Sequence, residues 1–98
     1  MFVNVIKSYR DVVAICDEEL IGKKFKESNF ILDIKENFFK GKEMSEDETL
    51  RIILDMLKED ATFNIAGEKS VDLALRSGIV SKEKIKKIQG IPFVLILN

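Results

Sequence analysis

The side chains that most often carry out chemistry in proteins are nearly missing from this sequence. Its 98 residues include no histidine, no tryptophan, one cysteine and one tyrosine. General acid–base catalysis near neutral pH, metal binding and thiol chemistry depend mainly on histidine and cysteine. The composition therefore argues against these classes of enzyme, and we expect neither a metal nor a cofactor.

Cys16 is the only thiol in the chain. It follows a run of apolar residues and precedes Asp17, Glu18 and Glu19, whose negative charge disfavours the reactive thiolate. We therefore interpret Cys16 as a buried structural thiol. The six serines have no histidine to act as their base, so nucleophilic catalysis is not predicted.

Two runs of acidic residues are interpreted as solvated helix starts rather than as cation sites. Three consecutive side chains, as in Asp17 to Glu19, diverge, and the oxygen-rich spacing of a calcium loop is absent. In the second run, residues 46–48, the acidic side chains complement the positive end of a helix. Ser45 and Glu48 have the spacing of a capping box, which places that helix start directly after Ser45.

Two glycine-containing stretches are candidate phosphate sites. The stretch 22–24, Gly-Lys-Lys, lacks the earlier glycine and the Ser/Thr of a P-loop. Gly67 lies between a short β-like segment and a helical pattern, where backbone N–H groups at a helix start attract anions. Because Glu68 would repel an anion there, we interpret Gly67 as a helix start.

Two groups of lysines are the candidate contacts to nucleic acid. With 16 basic and 17 acidic residues the net charge is -1, which argues against a strong, sequence-independent hold on RNA. A local basic patch beside an aromatic residue is nevertheless compatible with backbone and stacking contacts. For both groups a solvated lysine-rich surface is the alternative. The groups are Lys23, Lys24 and Lys26 beside Phe25, and Lys82, Lys84, Lys86 and Lys87.

Phe38 and Phe39 are the candidate surface for a protein partner. They are adjacent in a connector, residues 36–44, that shows no clear periodicity. Neighbours in an extended loop point in opposite directions, so we expect one ring to be exposed.

Strand signals lie mainly in the first third of the chain and at its end. Residues 2–6 and 12–16 are rich in Val, Ile and Phe and are separated by a polar break, which predicts a β-hairpin. The alternation of Phe30, Leu32 and Ile34 with polar residues predicts a half-buried strand over 30–34. A short β-like segment covers 62–66. The apolar run 93–97 predicts a strand buried on both faces and therefore central in its sheet.

Helix signals lie between these strands. Residues 17–22 predict one helical turn. A helix begins after Ser45, a second spans residues 68–77, and a short third runs over 81–87. The apolar residues of the first helix that share one face are Leu50, Ile53, Leu54, Leu57 and Ala61.

The order of these elements predicts an α+β fold. We expect a two-layer sandwich in which a mixed β-sheet with an N-terminal hairpin carries two to three helices on one face. The chain length is that of one domain, residues 1–98. No segment approaches the roughly 18 to 20 apolar residues of a membrane span, and Lys7 and Arg10 interrupt the first apolar residues too early for a signal peptide.

The cellular setting is inferred from composition. A single cysteine cannot form an intramolecular disulfide, so we expect a reducing cytoplasm. Charged residues make up 34% of the chain, above the roughly 25% of ordinary proteins. Such a surface is typical of thermophiles, and the codon bias of an AT-rich genome is the alternative explanation.

Several motifs together resemble the archaeal domain-of-unknown-function family 424 (DUF424). They cover most of the chain in order. Cys16, Asp17, Glu18 and Gly22 belong to a Cys-Asp-Glu-Glu-Leu-Ile-Gly-Lys-Lys-Phe stretch, and Gly78 belongs to Gly-Ile-Val. The remaining motif positions are Asn64, Gly67 and Glu68 in Asn-Ile-Ala-Gly-Glu, and Gly90 and Pro92 in Ile-Gln-Gly-Ile-Pro.

The resemblance implies a small archaeal α+β domain without an assigned role. The family pattern often has a histidine after the proline near the C-terminal strand, whereas Phe93 follows Pro92 here. Any histidine-dependent activity of the family is therefore not expected of this chain.

The leading hypothesis is a non-enzymatic interaction module associated with RNA or with the translation machinery. A protein-interaction role, based on Phe38 and Phe39, is kept beside it. The alternative is an enzyme or small-ligand binder that uses carboxylates and lysines. It requires Asp17, Glu68 and a lysine to share one pocket.

Overall fold

The computed structural model describes residues 1–97, which form two β-sheets, three α-helices and two 3₁₀ turns. In chain order these are β1 (Phe2–Ile6), β2 (Val12–Cys16), a first 3₁₀ turn (Glu18–Leu20), β3 (Lys24–Glu27), β4 (Phe30–Asp33), α1 (Glu36–Phe39), β5 (Lys42–Glu43), α2 (Glu46–Lys58), β6 (Thr62–Ala66), α3 (Glu68–Ser77), a second 3₁₀ turn (Lys82–Lys84), β7 (Lys86–Ile88) and β8 (Ile91–Ile96). None of these helices is long and apolar enough to cross a membrane.

The larger sheet has six strands in the order β5-β1-β2-β6-β8-β7. Strands β2 and β6 are parallel and the other neighbours are antiparallel. The predicted α+β fold, its mixed sheet and its N-terminal hairpin are thereby confirmed. Strands β3 and β4 form a separate two-stranded sheet, which we call the arm (residues 24–33).

One face of the six-stranded sheet, the helix face, is covered by α2 and α3. The inward side chains of the central strands, including Ile15, Phe63 and Val94, are almost completely buried there. They pack against Ile53 of α2 and Leu73 of α3. Burial of this contiguous apolar surface is the main stabilising contribution to the fold.

The opposite face, the arm face, is covered by the arm, α1 and the first 3₁₀ turn. The central strands present small side chains to it, namely Ala14, Cys16 and Ala66. Phe39 and Leu20 pack onto these small residues. Strand β3 and helix α1 had no clear sequence signal, so this second layer was not predicted.

Helix α2 begins at the predicted capping box. The Ser45 hydroxyl accepts the Glu48 N–H (3.2 Å), and the Glu48 carboxylate accepts the Ser45 N–H (3.0 Å). The hydrogen bond from the Ser45 N–H lowers the pKa of Glu48 below its ordinary value. The capping box therefore depends on the ionised carboxylate.

The buried side of α2 differs from the predicted one. Leu54 and Leu57 are 43% and 36% exposed, so the prediction that they face inward is wrong. Thr49 donates its hydroxyl to the Ser45 carbonyl oxygen (2.8 Å), and this bond allows a polar side chain to be buried. The buried positions, which also recur at helical spacing, are Thr49, Ile53 and Met56.

The predicted helix over 81–87 is wrong. A 3₁₀ turn, Lys82–Lys84, leads instead into β7, in which Ile88 pairs with Ile91. The two residues between them, Gln89 and Gly90, both have positive φ (51° and 77°). Such a two-residue turn joins antiparallel strands whose twist it matches, so hairpin geometry prevails over the weak helical spacing.

Strand β8 is not buried on both faces as predicted. It lies between β6 and the short edge strand β7, and Leu95 on its arm face is 55% exposed. The arm reaches the sheet beside Phe93 and leaves the far part of β8 uncovered. The apolar run therefore supplies a core on one face and an open surface on the other.

Candidate functional site

Asp17 is one of three polar or charged residues that are buried among residues 1–97. It is 4% exposed and directly follows β2. One carboxylate oxygen accepts the Lys69 N–H (3.0 Å), and the other accepts both the Ser70 N–H (2.8 Å) and the Ser70 hydroxyl (2.7 Å). A buried carboxylate with three such bonds is well satisfied.

These bonds make Asp17 the cap of helix α3. The residue at the N-cap position is Gly67, which has no side chain to accept the free N–H groups of the first turn. Lys69 and Ser70 are the second and third residues of the helix, whose N–H groups an N-cap side chain ordinarily binds. Asp17 supplies that acceptor from another part of the chain.

Gly67 is required by this arrangement. A Cβ atom on Gly67 would lie 2.4 Å from the Asp17 carboxyl carbon, which is far inside van der Waals contact. Its φ of 107° is also unfavourable for any residue with a side chain. The two family-motif positions Asp17 and Gly67 thus form one structural unit.

The structure corrects the sequence-based interpretations of Asp17 and of the helix start at Gly67. Asp17 is not part of a solvated helix start, although Glu18 and Glu19 beside it are exposed. The helix start at Gly67 does bind an anion, as its geometry allows, but the anion is the carboxylate of Asp17 itself. The repulsion expected from Glu68 does not prevent this, because Glu68 is exposed to solvent and lines a different cavity from Asp17.

The pocket required by the alternative hypothesis does not form. Asp17 lines an acidic cavity of about 270 Å³ together with Glu18, Glu46 and Lys69. Glu68 instead lines a cavity of about 420 Å³ beside α3, next to Lys82. Within residues 1–97, no group of three acidic or cysteine side chains is placed to hold a metal ion.

Cys16 is completely buried, as predicted. Burial, followed by the charge of Asp17, raises the pKa of its thiol to about 12. The thiolate is therefore almost absent near neutral pH, so Cys16 is a packing residue on the arm face.

The structure brings part of each lysine group to neighbouring strands. Lys24 and Lys26 lie on β3 and Lys86 and Lys87 on β7, whereas Lys23 precedes β3 and Lys82 and Lys84 belong to the second 3₁₀ turn. The arm contacts β7, and the Gln89 side chain donates to the Lys26 carbonyl oxygen (2.6 Å). Because β7 is a strand, its lysines alternate: Lys86 is opposite Phe93, on the arm face, whereas Lys87 is opposite Pro92. On the arm, Lys24 pairs with Asp33 across the hairpin (3.9 Å).

Between the arm and β7–β8 lies a groove of about 490 Å³, which we call the aromatic groove. It is lined by Phe30, Phe93, Lys86, Lys87, Ile88 and Glu27. Phe30 is 69% exposed, and Phe93 is half-buried. Two aromatic rings thus share one open surface with Lys86, whereas the Lys87 side chain is on the opposite face of β7.

Sequence reasoning missed Phe30 as a functional candidate. Its alternation with Leu32 and Ile34 predicted an inward ring, and only Ile34 is fully buried. Phe30 lies at the end of the arm beside the turn, where the sheet beneath no longer covers it. A large apolar side chain beside a polar turn, Ser28 and Asn29, was the available signal.

Phe38 and Phe39 belong largely to the core. Their rings pack edge to face with centroids 5.1 Å apart, and Phe39 is 7% exposed. Phe38 is half-buried, and its carbonyl oxygen accepts the Asn4 side-chain N–H (2.8 Å). The more exposed apolar side chains of the arm face are Phe30, Ile31 and Leu95.

The other motif glycines mark turns. Gly22 and Gly78 have φ values of 80° and 83°, and Gly78 ends α3 in the left-handed conformation as predicted. Asn64 is half-buried on β6 and lines, with Leu95, a cavity of about 370 Å³ on the arm face.

Comparisons with known proteins agree with this description. The family described as "Protein of unknown function (DUF424)" matches residues 6–98, which confirms the resemblance inferred from the motifs. The crystal structure of an uncharacterized conserved protein from Methanopyrus kandleri is similar over 99% of this chain and 92% of its own, with a TM-score of 0.85 and 25% sequence identity. The comparison with curated proteins finds no match.

Proposed function

This chain belongs to the DUF424 family, and we propose that it is a non-enzymatic module that binds single-stranded RNA in the aromatic groove. The proposal extends to a role in RNA handling or translation in the cytoplasm of an archaeon. The family resemblance and the similar protein from Methanopyrus kandleri support the archaeal assignment.

The exposed ring of Phe30 facing the same groove as Phe93 carries the proposal. A phenylalanine that is 69% exposed leaves apolar surface in water that a ligand can cover. Stacking of a base on an aromatic side chain contributes about 1–3 kcal/mol and tolerates any base. The groove volume of about 490 Å³ lies within the roughly 300–1,000 Å³ of ordinary ligand sites.

The lysines around the groove supply contacts to phosphate. Lys86 and Lys87 line it, with the Lys87 side chain on the far face of β7. Lys26 lies on the adjacent strand of the arm, at the rim of the groove, with its side chain on the outer face. These three side chains are in no ion pair within residues 1–97. They are therefore available to the negatively charged backbone of a nucleic acid.

Glu27 is the acidic residue of the groove. Its carboxylate accepts the Gln89 N–H (2.8 Å), which ties it to the β7–β8 turn. Together with the bond from the Gln89 side chain to the Lys26 carbonyl oxygen, this contact fixes the arm against β7. The groove is thereby formed before a ligand arrives, which reduces the entropic cost of binding.

The test is fluorescence anisotropy with a labelled single-stranded oligouridylate. Phe30→Ala should weaken binding about tenfold, because one stacking platform is lost. Tyr9→Ala is the matched control, since Tyr9 is a fully exposed aromatic residue on a loop outside the groove. Undetectable binding by the wild-type chain, or equal affinities of wild type and Phe30→Ala, would refute the proposal.

A salt series gives a second readout. If Lys26, Lys86 and Lys87 each neutralise one phosphate, the slope of log K against log salt should be about −2. Lys86→Ala should reduce its magnitude by about 0.7, whereas Lys58→Ala at the end of α2 should leave it unchanged. A slope near zero would contradict phosphate contacts.

A further inference from the structure

We propose that the end of strand β8, Val94 to Leu97, is a docking site for an extended peptide segment of another protein, which adds to the sheet as a further strand. The site lies on the sheet edge beyond β7. It is independent of RNA binding in the aromatic groove.

Strand β8 is longer than the partner strand on its outer side. Strand β7 pairs with Ile91, Pro92 and Phe93 of β8, and it begins only at Lys86, which is opposite Phe93. The next part of β8 pairs only with β6, through Val94, Leu95 and Ile96. One side of this part of the strand therefore has no neighbouring strand within residues 1–97.

The backbone groups of Leu95 point to this open side. The Gly67 N–H donates to the Pro92 carbonyl oxygen (2.9 Å), so Pro92, Val94 and Ile96 direct their backbone groups at β6. In an antiparallel ladder the alternate residues, Phe93 and Leu95, direct theirs away from it. Phe93 is opposite Lys86, but Leu95 is joined to no backbone partner within residues 1–97.

The chain itself is turned away from the position that would pair with Leu95. A longer β7 would place Lys84 there by register. Lys84 and Ile85 instead donate their N–H groups to Ser81 and Lys82 (3.1 and 3.2 Å) in the second 3₁₀ turn. Between that turn and β8 remains a cavity of about 400 Å³, lined by Ile79, Val80, Ser81, Lys84, Leu95, Ile96 and Leu97.

The chemistry of this edge fits an extended peptide with apolar residues and one acidic residue. Leu95 and Leu97 are 55% and 70% exposed, and an uncovered apolar edge is a template for strand addition. The exposed Lys84 is in no ion pair within residues 1–97, so it is free to pair with a carboxylate. Such a segment would form main-chain hydrogen bonds with Leu95 and, by the same alternation, with Leu97, and its apolar side chains would fill the cavity.

A second copy of this chain fits the open edge of β8 less well than an extended peptide does. Antiparallel self-pairing of two β8 strands about Leu95 would place Leu97 opposite Phe93 of the second copy. The backbone of that Phe93 already pairs with Lys86. Only one residue pair would then form, which is too little for a stable sheet.

The experiment is a titration of the isotopically labelled chain, followed by NMR, with a short capped peptide of alternating valine and threonine that begins with glutamate. The amide signals of Leu95 and Leu97 should shift, and their hydrogen exchange should slow. A peptide N-methylated at alternate residues should bind about tenfold or more weakly, because it lacks the ladder donors.

Variants separate the main chain from the side chain. Leu95→Pro removes the outward N–H and should abolish peptide binding. Leu95→Thr keeps that N–H and should still bind the peptide. Equal binding of the N-methylated peptide, shifts confined to other surfaces, or no shift at millimolar peptide would overturn the proposal. Concentration-dependent protection of Leu95 without peptide would overturn it in favour of a second copy.

Discussion

The two faces of the six-stranded sheet are built from the same strands and differ in how they are covered. Strand β6 shows the contrast within five residues: Phe63 and Ile65 are buried under α2 and α3, while Asn64 between them lines an open cavity on the arm face. In β8, Val94 is buried and Leu95 is 55% exposed. The helix face therefore holds the fold together, and the arm face leaves apolar surface exposed, where we propose that partners bind.

The two faces also differ in how their charged side chains are used. Directly after β2, the buried Asp17 carboxylate accepts hydrogen bonds from the first turn of α3. At the arm-face edge, Lys86 lies beside exposed aromatic rings without an ion pair within residues 1–97. A charge that is already bound is structural, and a charge left open beside apolar surface is available for binding.

The largest expected effect is on the helix face. Phe63→Ala should lower the free energy of unfolding by about 3–5 kcal/mol, because the ring is completely buried and its removal leaves a cavity. Urea unfolding followed by circular dichroism measures this loss. A loss below about 1 kcal/mol would show that this face is not the main core.

The next effect concerns the cap of α3. Asp17→Ala should lower the free energy of unfolding by about 2–3 kcal/mol. It removes three hydrogen bonds to a buried carboxylate and leaves two N–H groups without an acceptor. Glu19→Ala, an exposed neighbour, is the matched control and should be nearly neutral. Equal unfolding midpoints for these two variants would mean that the cap contributes nothing.

A much smaller effect is expected on the arm face. Leu95→Thr should change stability by less than about 0.5 kcal/mol, although Leu95 is in the same sheet as Phe63. The measurement is the same urea titration. A loss comparable to that of Phe63→Ala would remove the difference between the two faces.

The smallest expected effect is on the pH dependence of the stability that the capping box of α2 provides. The pKa of Glu48 is lowered when the chain folds, so its capping bond stabilises the fold above the ordinary carboxyl pKa of 4.5. This contribution to stability should be lost as the pH falls through the lowered pKa of Glu48 in the folded chain. Thermal unfolding of wild type and Glu48→Ala should differ at pH 7 and converge in acid, and a constant difference would contradict the capping role.

Elements with strong local signals were predictable from the sequence. The capping box at Ser45 fixed the start of α2, and the alternating β-branched segments gave the N-terminal hairpin. Gly78 marked the end of α3. In each case a few neighbouring residues determine the conformation, so no tertiary information was needed.

Features that depend on distant contacts were not predictable. Asp17 and Ser70 meet only because β2 and β6 lie side by side, so the cap of α3 has no local signature. The spacing of Leu54 and Leu57 was correct for a helix, but the orientation of α2 on the sheet decided which side was buried. The aromatic groove likewise requires the arm, whose first strand resembled a solvated lysine-rich stretch.

We propose that single-stranded RNA binds on the arm face and not on the helix face. This proposal is tested most directly by adding single-stranded oligouridylate to the isotopically labelled chain and mapping the amide shifts. We expect shifts of the amide signals of Phe30, Lys86 and Phe93, and no shifts in α2 and α3. Shifts centred on α2 and α3, or no shifts at all, would contradict it.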